Sequence, residues 1–474
     1  MQAKISTRDC GPESKAHHEL AWWRNSCLDQ ISSLSSHNAS HPRRRAQADS
    51  QSFSSKHSMA IDPEYPLLRV AIVGAGPGGL ATAIALQQIP NVEVTIYEQA
   101  KVLREVGAGI SIGQNTWNVL ELLGVADDLT SGHPTVTVLN LNGATGEELS
   151  RFEKQTDTKR LPIRTQRTKL QSALRSHVSE ERLRLGTKVA SIEDLGQGGV
   201  LLRFADGSET AADLVVGADG IRSVVRDAAW RDYELKFTGT TIWRTLLPWD
   251  AVKDLDPRFA TTAWWHTPTT HVYFSPVGEG LWEIAARAYQ DPAIHAADKH
   301  SWGVPVTNEV VESHFGAYLP QVREALQRVP EGGWKEFAAF AGPELDDLTN
   351  WNDKIVLVGD SSHALSGAFG SGAGFAMEDG WVLAQALKAS RNDIHQALPI
   401  FNRIRLPYYS RMYAHLAEVA ERRSQNLQKV VNPTAEDLVR NKVIQPGGRD
   451  MQWIYGNHIG RVWEQSTAGI EAQL

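Results

Sequence analysis

The stretch VAIVGAGPGGLATAIAL, residues 70–86, constrains the fold of this chain more than any other. An apolar run that begins at Leu68 leads into Gly74, Gly76 and Gly79, which have the spacing G-x-G-x-x-G. In a strand–turn–helix unit the first glycine permits the tight turn, the second lets the backbone approach a pyrophosphate, and the third lets the helix pack on the strand. The pattern predicts a buried parallel strand and a helix whose N-terminus binds a dinucleotide.

The segment after this helix supports the dinucleotide prediction. VEVTIYE, residues 92–98, has the pattern of a second strand and ends at Glu98. An acidic residue roughly 20 positions beyond the glycines accepts hydrogen bonds from the adenosine ribose in such units. The alternative is a glycine-rich turn that binds nothing, and that alternative does not explain Glu98.

Composition excludes several classes of protein. The chain has 474 residues, enough for two or more domains, and a net charge of −7, which argues against nucleic-acid binding. No apolar run of about 18 residues occurs, so no membrane span is predicted. The two cysteines, Cys10 and Cys27, precede the first predicted strand, so the body has no disulfide, cysteine metal site or thiol nucleophile.

The first part of the chain differs from the rest. Residues 1–60 are rich in serine and poor in apolar positions, which predicts a disordered N-terminal extension. There is no apolar core of a signal peptide near Met1, and Asp9, Glu13 and Glu19 weigh against a mitochondrial presequence. We expect a cytoplasmic protein, with mitochondrial targeting left open.

Four sequence blocks follow the first nucleotide unit in order: REVGAGISIGQNTWNVLELLG, RTQRTKLQSAL, DLVVGADGIRS and VLVGDSSHALSGAFGSGAGFAMEDG. Their order and spacing resemble the FAD-dependent aromatic hydroxylases (class A flavoprotein monooxygenases), especially the fungal salicylate-hydroxylase-like branch. The resemblance implies an α/β fold with a Rossmann-like FAD-binding domain, an inserted antiparallel-sheet substrate domain and C-terminal helices. It places the FAD-binding domain at residues 61–235 and 343–390.

The resemblance also implies FAD contacts for one residue or more in each block. Gly109 lets the chain pass close to the cofactor, and Arg167, in RTKL, lies near the pyrophosphate or ribityl chain. Asp219 lies near FAD and the nicotinamide approach path, and Asp360 binds a ribityl hydroxyl. Asp219 and Asp360 have an alternative role, since aspartate commonly caps helices that follow strands.

The chain has two glycine-rich turns because, in this interpretation, both bind one extended ligand. The first binds the pyrophosphate, and the second, after residue 356, binds the ribityl chain and the flavin edge. The helix that begins near Gly372 and Ala373 directs its positive end at the pyrimidine side of the flavin, where reduced flavin is negatively charged. His363, in the same block, has a structural role in the family, and we assign it no chemistry.

The substrate domain is predicted at residues 236–342, where β-branched and aromatic residues alternate with turn signals, and strands from about residues 133–153 join it. Its tryptophans suggest a substrate pocket. Fungal phenol hydroxylases resemble this chain in carrying an Arg and a Tyr on neighbouring strands, which makes Arg244 and Tyr273 the catalytic candidates. In these roles Arg244 would pair with a phenolate or carboxylate, and Tyr273 would hydrogen-bond the same oxygen or help to remove its proton. A surface arginine and an ordinary sheet tyrosine are the alternatives.

Residues 391–474 are predicted to form C-terminal helices and a tail, with a long amphipathic helix over residues 399–429 and a WIYG segment that packs back onto the body. No metal site is predicted, and the oligomeric state stays open.

The resemblance implies that FAD, with NAD(P)H as transient cosubstrate and O2, hydroxylates a phenol or aromatic acid through a flavin C4a-hydroperoxide, in fungal secondary metabolism or aromatic catabolism. The chain departs from the family at Ala364, where many members have proline after the histidine. Epoxidation and heterocycle oxidation therefore stay alternatives. A dehydrogenase or oxidase also stays an alternative, because it would share the unit from Gly74 to Glu98 without inserting oxygen.

Overall fold

A computed structural model describes residues 65–103, 108–443 and 451–468 of the chain. Residues 65–410 with 451–468 form one unit, and residues 411–443 belong to a second. The extension predicted to be disordered, residues 1–60, lies outside the described residues. The division into FAD-binding, substrate and C-terminal domains stays a prediction.

The described residues form strands and α-helices that alternate along much of the chain. The strands are β1 (Leu68–Val73), β2 (Val92–Glu98), β3 (Gly109–Ile112), β4 (His133–Pro134), β5 (Thr137–Asn142), β6 (Glu148–Glu153), β7 (Ile163–Gln166), β8 (Leu183–Leu185), β9 (Val189–Asp194), β10 (Val200–Phe204), β11 (Glu209–Ala212), β12 (Leu214–Gly217), β13 (Lys236–Pro248), β14 (Thr262–His266), β15 (Thr270–Gly278), β16 (Leu281–Tyr289), β17 (Val304–Pro305), β18 (Lys335–Ala341), β19 (Thr349–Asn350) and β20 (Ile355–Leu357). The α-helices are α1 (Pro77–Leu86), α2 (Gln114–Leu122), α3 (Arg167–Arg175), α4 (Val224–Ala229), α5 (Pro292–His295), α6 (Asn308–Glu312), α7 (Pro320–Gln327), α8 (Gly372–Ala389), α9 (Ile394–Gln428), α10 (Ala435–Val443), α11 (Gln452–Tyr455) and α12 (Ile459–Thr467). The strand, helix and second strand predicted around the first glycine turn are β1, α1 and β2.

A mostly parallel sheet carries both glycine turns. Its strand order within the described residues is β19-β20-β12-β1-β2-β8, and β20, β12, β1 and β2 pair parallel with their neighbours in that order. β12 and β20 are buried at every position, and β1 at every position except Arg69. Continuous burial is typical of parallel strands covered on both faces. The sheet and its helices confirm the predicted α/β fold.

Helices α1 and α8, which follow the two glycine turns, pack with their backbones close together. A Cβ on Gly380 would lie 2.3 Å from Thr82 Oγ1, and a Cβ on Gly78 would lie 3.0 Å from the Cβ of Ala376. Because only small residues permit this approach, glycine at these positions brings the two helices into direct contact.

A second sheet has the strand order β17-β18-β13-β16-β15-β14-β5-β6 and is antiparallel except where β14 pairs with β5. Successive residues of a strand point to opposite faces, so the sheet has two distinct sides. On the core face, Trp243, Phe274 and Ile284 pack with Val322 and Leu326 of α7. The other side, which we call the polar face, carries Arg244, Glu283, Ala285, Arg287, Tyr273 and Trp264.

Most tryptophans of this sheet belong to the core face and not to a pocket. Trp243, Trp265 and Trp282 are fully buried, and the ring of Trp282 stacks on Phe274 with 4.6 Å between centroids. Trp264 is half-buried and lies on the polar face. The prediction that these tryptophans suggest a pocket is therefore wrong for the three buried ones, because the helices on the core face cover them.

The long amphipathic helix is confirmed as α9, which begins before the predicted start and contains Pro399 and Pro407. The WIYG segment packs back as predicted, since Tyr455 Oη donates to Phe369 O at 3.1 Å and Asn457 Nδ2 donates to Glu378 Oε1 at 3.0 Å. Among the described residues, no helix combines the length and apolarity needed to cross a bilayer.

Candidate active site

The first glycine turn has no room for a side chain at two of its three glycines. Gly74 has φ of 103°, and its N–H donates to Tyr97 O at 2.8 Å. A Cβ on Gly79 would lie 2.0 Å from Gly74 O, which is far inside van der Waals contact. At Gly76, by contrast, a Cβ would meet no heavy atom within 4 Å. Gly74 and Gly79 are therefore required by the turn itself, whereas Gly76 borders open space in front of the α1 N-terminus.

Glu98 is fixed beside this turn. Its Oε2 accepts from Ala75 N at 2.8 Å and its Oε1 accepts from Ala100 N at 2.7 Å. The carboxylate at the end of β2 is thus bound to the backbone of the glycine turn. Each oxygen keeps acceptor capacity, because a carboxylate oxygen accepts more than one hydrogen bond.

The parallel sheet brings the second glycine turn to the same edge as the first. Gly74 follows β1, Asp219 follows β12 shortly after its end, and Asp360 follows β20 in the same way. Because β1, β12 and β20 are adjacent and parallel, their carboxyl ends lie side by side. This edge is where open α/β sheets bind ligands.

Asp360 presents a carboxylate at this edge. Its side chain is exposed, and no described residue donates a hydrogen bond to it. A Cβ on Gly372, the first residue of α8, would lie 3.7 Å from Asp360 Oδ1. The first backbone N–H groups of α8, including that of Ala373, have no partner within the helix. Donor groups and an open acceptor therefore lie together, which suits a ligand that carries hydroxyl and carbonyl groups.

Asp219 is already hydrogen-bonded by its own chain. Oδ1 accepts from Ser223 Oγ at 2.5 Å, and Oδ2 accepts from the N–H groups of Val224 at 2.7 Å and Val225 at 3.3 Å. Burial raises the pKa of this carboxyl above its usual value, and these hydrogen bonds act in the opposite direction. The geometry favours the capping alternative at the start of α4.

Gly109 and Arg167 are brought together by β3 and β7. Gly109 pairs with Gln166 across these antiparallel strands, and Arg167 N donates to Ala108 O at 3.0 Å. A Cβ on Gly109 would lie 2.6 Å from Glu283 Oε2 and 2.4 Å from Arg164 Nη2. Gly109 is thus the point where β3 meets the polar face of the second sheet.

Arg244 and Tyr273 lie in one row across the polar face. Arg244 on β13 pairs with Ala285 on β16, Ala285 pairs with Tyr273 on β15, and Tyr273 pairs with Trp264 on β14. The prediction of neighbouring strands is wrong, because β16 lies between β13 and β15. Ala285, which has a short side chain, lies between the two candidates in this row.

Arg244 has a partner that the sequence did not predict. Its Nε and Nη2 donate to Glu283 Oε1 at 3.1 and 2.5 Å, and Nη2 also donates to Gly109 O at 2.9 Å. Arg164 Nη2 binds the other oxygen of the same carboxylate, and Gly109 N donates to Oε1 at 2.9 Å. Burial raises the pKa of Glu283, but Arg244 and Arg164 outweigh it and hold the pKa below its usual range. Glu283 therefore joins β3 and β7 to the second sheet as a buried anion.

Tyr273 lies between aromatic and cationic neighbours. Its ring centroid is 4.5 Å from that of Trp264, and the guanidinium carbon of Arg164 lies 5.3 Å from the Tyr273 ring centroid. No described residue hydrogen-bonds its hydroxyl. His271 contacts Trp264 with 5.2 Å between ring centroids, and His266 Nε2 is 3.0 Å from Asn140 Oδ1.

Arg287 is a further arginine on the polar face, two residues after Ala285. Its guanidinium carbon lies 5.3 Å from the ring centroid of Trp264. Its Nε is buried without a hydrogen-bond partner, and no described carboxylate forms an ion pair with it. Burial and the nearby charge of Arg244 lower its pKa to about 10.

A buried polar network supports the second glycine turn from behind. Asp379 Oδ1 accepts from Arg405 Nε and Tyr409 Oη, both at 2.6 Å, and its Oδ2 accepts from Gly359 N at 2.8 Å. His363 Nε2 lies 3.2 Å from Asp379 Oδ2. Burial raises the pKa of Asp379, but Arg405 and its other partners lower it to about 2. His363 is thus part of the support of the turn, in agreement with the structural role expected for it.

Sequence reasoning missed Glu283, Arg287, Arg164 and the pair Asp379–Arg405. An acidic residue in the apolar strand LWEIAARAY was the signal that could have found Glu283, since a buried charge requires partners. The partners themselves come from β7 and β13, distant in sequence, so their pairing required the fold. Among the described residues, no cluster of His, Cys, Asp and Glu could hold a metal ion.

The residues at the sheet edge fit an extended dinucleotide. They combine a glycine turn open at Gly76, the N-termini of α1 and α8, and the free carboxylate of Asp360. The fold and this edge define a dinucleotide-binding α/β protein.

Comparison with known proteins gives the family. The FAD binding domain family matches residues 68–398. A 3-amino-4-hydroxybenzoate 2-monooxygenase of Streptomyces platensis is 30% identical over 401 residues, which cover 82% of this chain and 96% of the relative. The 6-methylsalicylate 1-monooxygenase of Aspergillus terreus is 29% identical over 375 residues, which cover 71% of this chain and 79% of the relative. A salicylate hydroxylase solved with its substrate has the same fold, with a TM-score of 0.68 at 22% identity over 84% of this chain and 98% of that chain.

The chain belongs to the FAD-dependent aromatic hydroxylases and is an FAD-dependent monooxygenase. The predicted family, cofactor and enzyme class are confirmed. The fungal branch stays a prediction, because the similar proteins come from both bacteria and fungi.

Proposed function

We propose that this monooxygenase hydroxylates a phenol or aromatic acid, with NAD(P)H and O2 as cosubstrates, in the cytoplasm. The observation that supports it most is the row Arg244–Ala285–Tyr273–Trp264, which lies beside Gly109 on the polar face. The Streptomyces and Aspergillus relatives are named for an aminohydroxybenzoate and a methylsalicylate, which are phenols that carry a carboxylate.

The proposed FAD contacts divide between the two glycine turns. Gly74, Gly76 and Gly79 at the α1 N-terminus would hold the pyrophosphate, and Glu98 would accept from the adenosine ribose. These groups suit the ligand because backbone N–H donors face the anionic part and a carboxylate faces the hydroxyls.

The second group of contacts would hold the ribityl chain and flavin. Asp360 would accept from a ribityl hydroxyl, and the N–H of Ala373 at the α8 N-terminus would face the flavin ring. Arg167 would supply a cation near the pyrophosphate. Gly109 would let the chain pass close to FAD. Asp219 would act indirectly, because it holds the start of α4.

Bound FAD supplies the redox chemistry that passes electrons from NAD(P)H to O2, so that one oxygen atom enters the substrate. The protein binds the substrate, orients it and excludes water. The Tyr273 hydroxyl would donate a hydrogen bond to the substrate phenolic oxygen, and Arg244 Nη1 would offset the charge of that oxygen when it is ionised. Trp264 would contact the substrate ring. An ionised phenol is the more reactive form because its ring carbons are richer in electrons.

Turnover in ¹⁸O2 tests the proposed function. The holoenzyme should oxidise NAD(P)H faster with a suitable hydroxybenzoate than without one, and the product should gain one ¹⁸O atom. A product without ¹⁸O would instead indicate a dehydrogenase or oxidase, and an epoxide product would indicate the alternative oxygen insertion.

Tyr273→Phe tests the catalytic assignment. It should lower kcat by roughly 10- to 100-fold with FAD retained, the range expected for one lost hydrogen bond to a charged group. Tyr318→Phe is the matched control, because Tyr318 lies on the core side and donates to Trp265 O at 3.3 Å. If the kcat of Tyr273→Phe is as high as that of Tyr318→Phe, Tyr273 has no catalytic role.

A further inference from the structure

Arg287 is half-buried and differs from the other arginines described above in its lack of a counter-charge. Arg164 and Arg244 share Glu283, and Arg405 pairs with Asp379 and Glu378. Arg287 has no such partner among the described residues, and its Nε is buried without an acceptor. A guanidinium is always charged, so its burial is unfavourable unless an anion pairs with it.

The charges around Arg287 add up to a positive excess. Arg164, Arg244 and Arg287 supply three cations to this part of the polar face, and Glu283 supplies one carboxylate. Both oxygens of Glu283 are already bound, one by Arg164 and the other by Arg244 and Gly109 N. The low pKa of Arg287, about 10, follows from burial and from the adjacent Arg244. The local field therefore favours an added anion.

Arg287 also lies where it can act together with the proposed substrate contacts. It occupies the same face of β16 as Ala285, and its cross-strand neighbours are Ile242 and His271. Its guanidinium lies 5.3 Å from the Trp264 ring centroid, and that ring lies 4.5 Å from Tyr273. Arg287 and Tyr273 therefore contact the same ring, so a cation and a phenol lie near each other on the polar face.

We propose that Arg287 binds the carboxylate of the substrate and so selects aromatic acids over neutral phenols. The inference rests on the proposed function and refines it: the phenolic oxygen lies at Tyr273 and Arg244, and the acid group lies at Arg287. A planar guanidinium suits this role because it binds a carboxylate through two parallel hydrogen bonds. Arg244 is less suited to the acid group, since Glu283 already neutralises it.

The test compares acids with their amides on the FAD-loaded enzyme. Dissociation constants for 2-, 3- and 4-hydroxybenzoate and for the corresponding hydroxybenzamides are measured from the change in flavin absorbance, together with stimulated NAD(P)H oxidation. In the wild type, at least one acid should bind roughly 10- to 100-fold more tightly than its amide, the range for a hydrogen-bonded charged pair. In Arg287→Met this preference for the acid should disappear. In Arg287→Lys, which keeps the positive charge, part of the preference should remain.

Arg258→Met is the matched control. The Arg258 guanidinium pairs with Asp256 and lies 4.6 Å from the ring centroid of Trp265. Trp265 follows Trp264 on β14 but points to the core face. This variant removes the same kind of cation–aromatic contact away from the polar face. It should keep the acid preference of the wild type.

The outcomes separate the inference from the proposed function. Any of three results would overturn the role of Arg287: the wild type binds acids and amides equally, it binds no acid, or the acid preference survives in Arg287→Met. If neutral phenols are then hydroxylated with ¹⁸O incorporation, the proposed function stands without it. If the acid preference depends on Arg287 but no ¹⁸O enters any product, the anion site stands and the proposed function fails.

Discussion

Arg244 and Glu283 form the ion pair that joins β3 to the second sheet, with Arg244 Nη2 donating to Glu283 Oε1 at 2.5 Å and to Gly109 O at 2.9 Å. The residue that the sequence indicated as a phenolate ligand is thus also a support for the start of β3. Its removal is expected to affect both the substrate region and the contact at Gly109. Tests of this region therefore need a readout of stability beside a readout of turnover.

Glu283→Gln should strongly destabilise the protein. The substitution removes the only described carboxylate that pairs with Arg164 and Arg244 and leaves two guanidinium groups without a counter-charge. We expect a loss of about 3–5 kcal/mol in the free energy of unfolding, measured by chemical denaturation at neutral pH. Glu279→Gln, on the same hairpin, is the control, because Glu279 is exposed and pairs only with Lys169 and Gln166 among the described residues. A small effect of Glu283→Gln would show that the pair contributes little.

Gly76→Ala and Gly79→Ala should separate FAD binding from folding. A Cβ at Gly79 would overlap Gly74 O, so Gly79→Ala should lower the free energy of unfolding by at least about 1–3 kcal/mol, the usual cost of overpacking. A Cβ at Gly76 meets no protein atom, so Gly76→Ala should leave the apoprotein equally stable. It should nevertheless weaken FAD binding, because the added methyl group lies where the pyrophosphate would pass. Unchanged FAD affinity in Gly76→Ala, measured by fluorescence titration, would argue against the pyrophosphate position.

Asp360→Ala is expected to affect FAD binding, whereas Asp219→Ala is expected to affect folding stability. Asp360 is exposed and receives no hydrogen bond from a described residue, so its loss should reduce FAD retention and leave the apoprotein melting temperature unchanged. Asp219 accepts from Ser223, Val224 and Val225, so its loss should cost about 1 kcal/mol of stability, as for other helix-capping residues. If Asp219→Ala releases FAD from a protein of unchanged stability, Asp219 contacts the cofactor directly.

Glu378 should make stability depend on pH. Burial raises its pKa to about 7, although Arg405 and Asn457 act in the opposite direction. A carboxyl whose pKa is higher in the folded state binds its proton more tightly there, so stability falls as pH rises from the unfolded pKa near 4.5 toward 7. The fall attributable to this group is on the order of 3 kcal/mol.

Glu378→Gln should abolish that part of the pH dependence. The amide oxygen can still accept from Asn457 Nδ2, and Arg405 keeps its contact with Asp379. The free energy of unfolding, measured at pH 5 and pH 8, should therefore fall less for the variant than for the wild type. Equal pH dependence in the two proteins would contradict the raised pKa of Glu378.

Local sequence was sufficient for the elements around the glycine turns. The apolar run before Gly74 and the glycines after it predicted β1 and α1, and α8 begins at Gly372 as predicted. These features depend on short-range sterics, since a positive φ at Gly74 and a close approach at Gly79 each exclude a side chain. The exposed Asp360 at the start of the second turn follows from the same local pattern.

The polar face was decided by tertiary structure. Trp264 and Trp265 are adjacent and chemically identical, yet one lies on the polar face and the other is fully buried in the core. Sequence alternation fixes that they point to opposite sides, but only the helices packed on one side decide which side is the core. Arg244 and Arg287 both lie on the polar face, yet only Arg244 forms an ion pair with Glu283. Glycine geometry acts over a few residues and can be inferred from sequence, whereas charge pairing across β7, β13 and β16 depends on strands that the fold alone brings together.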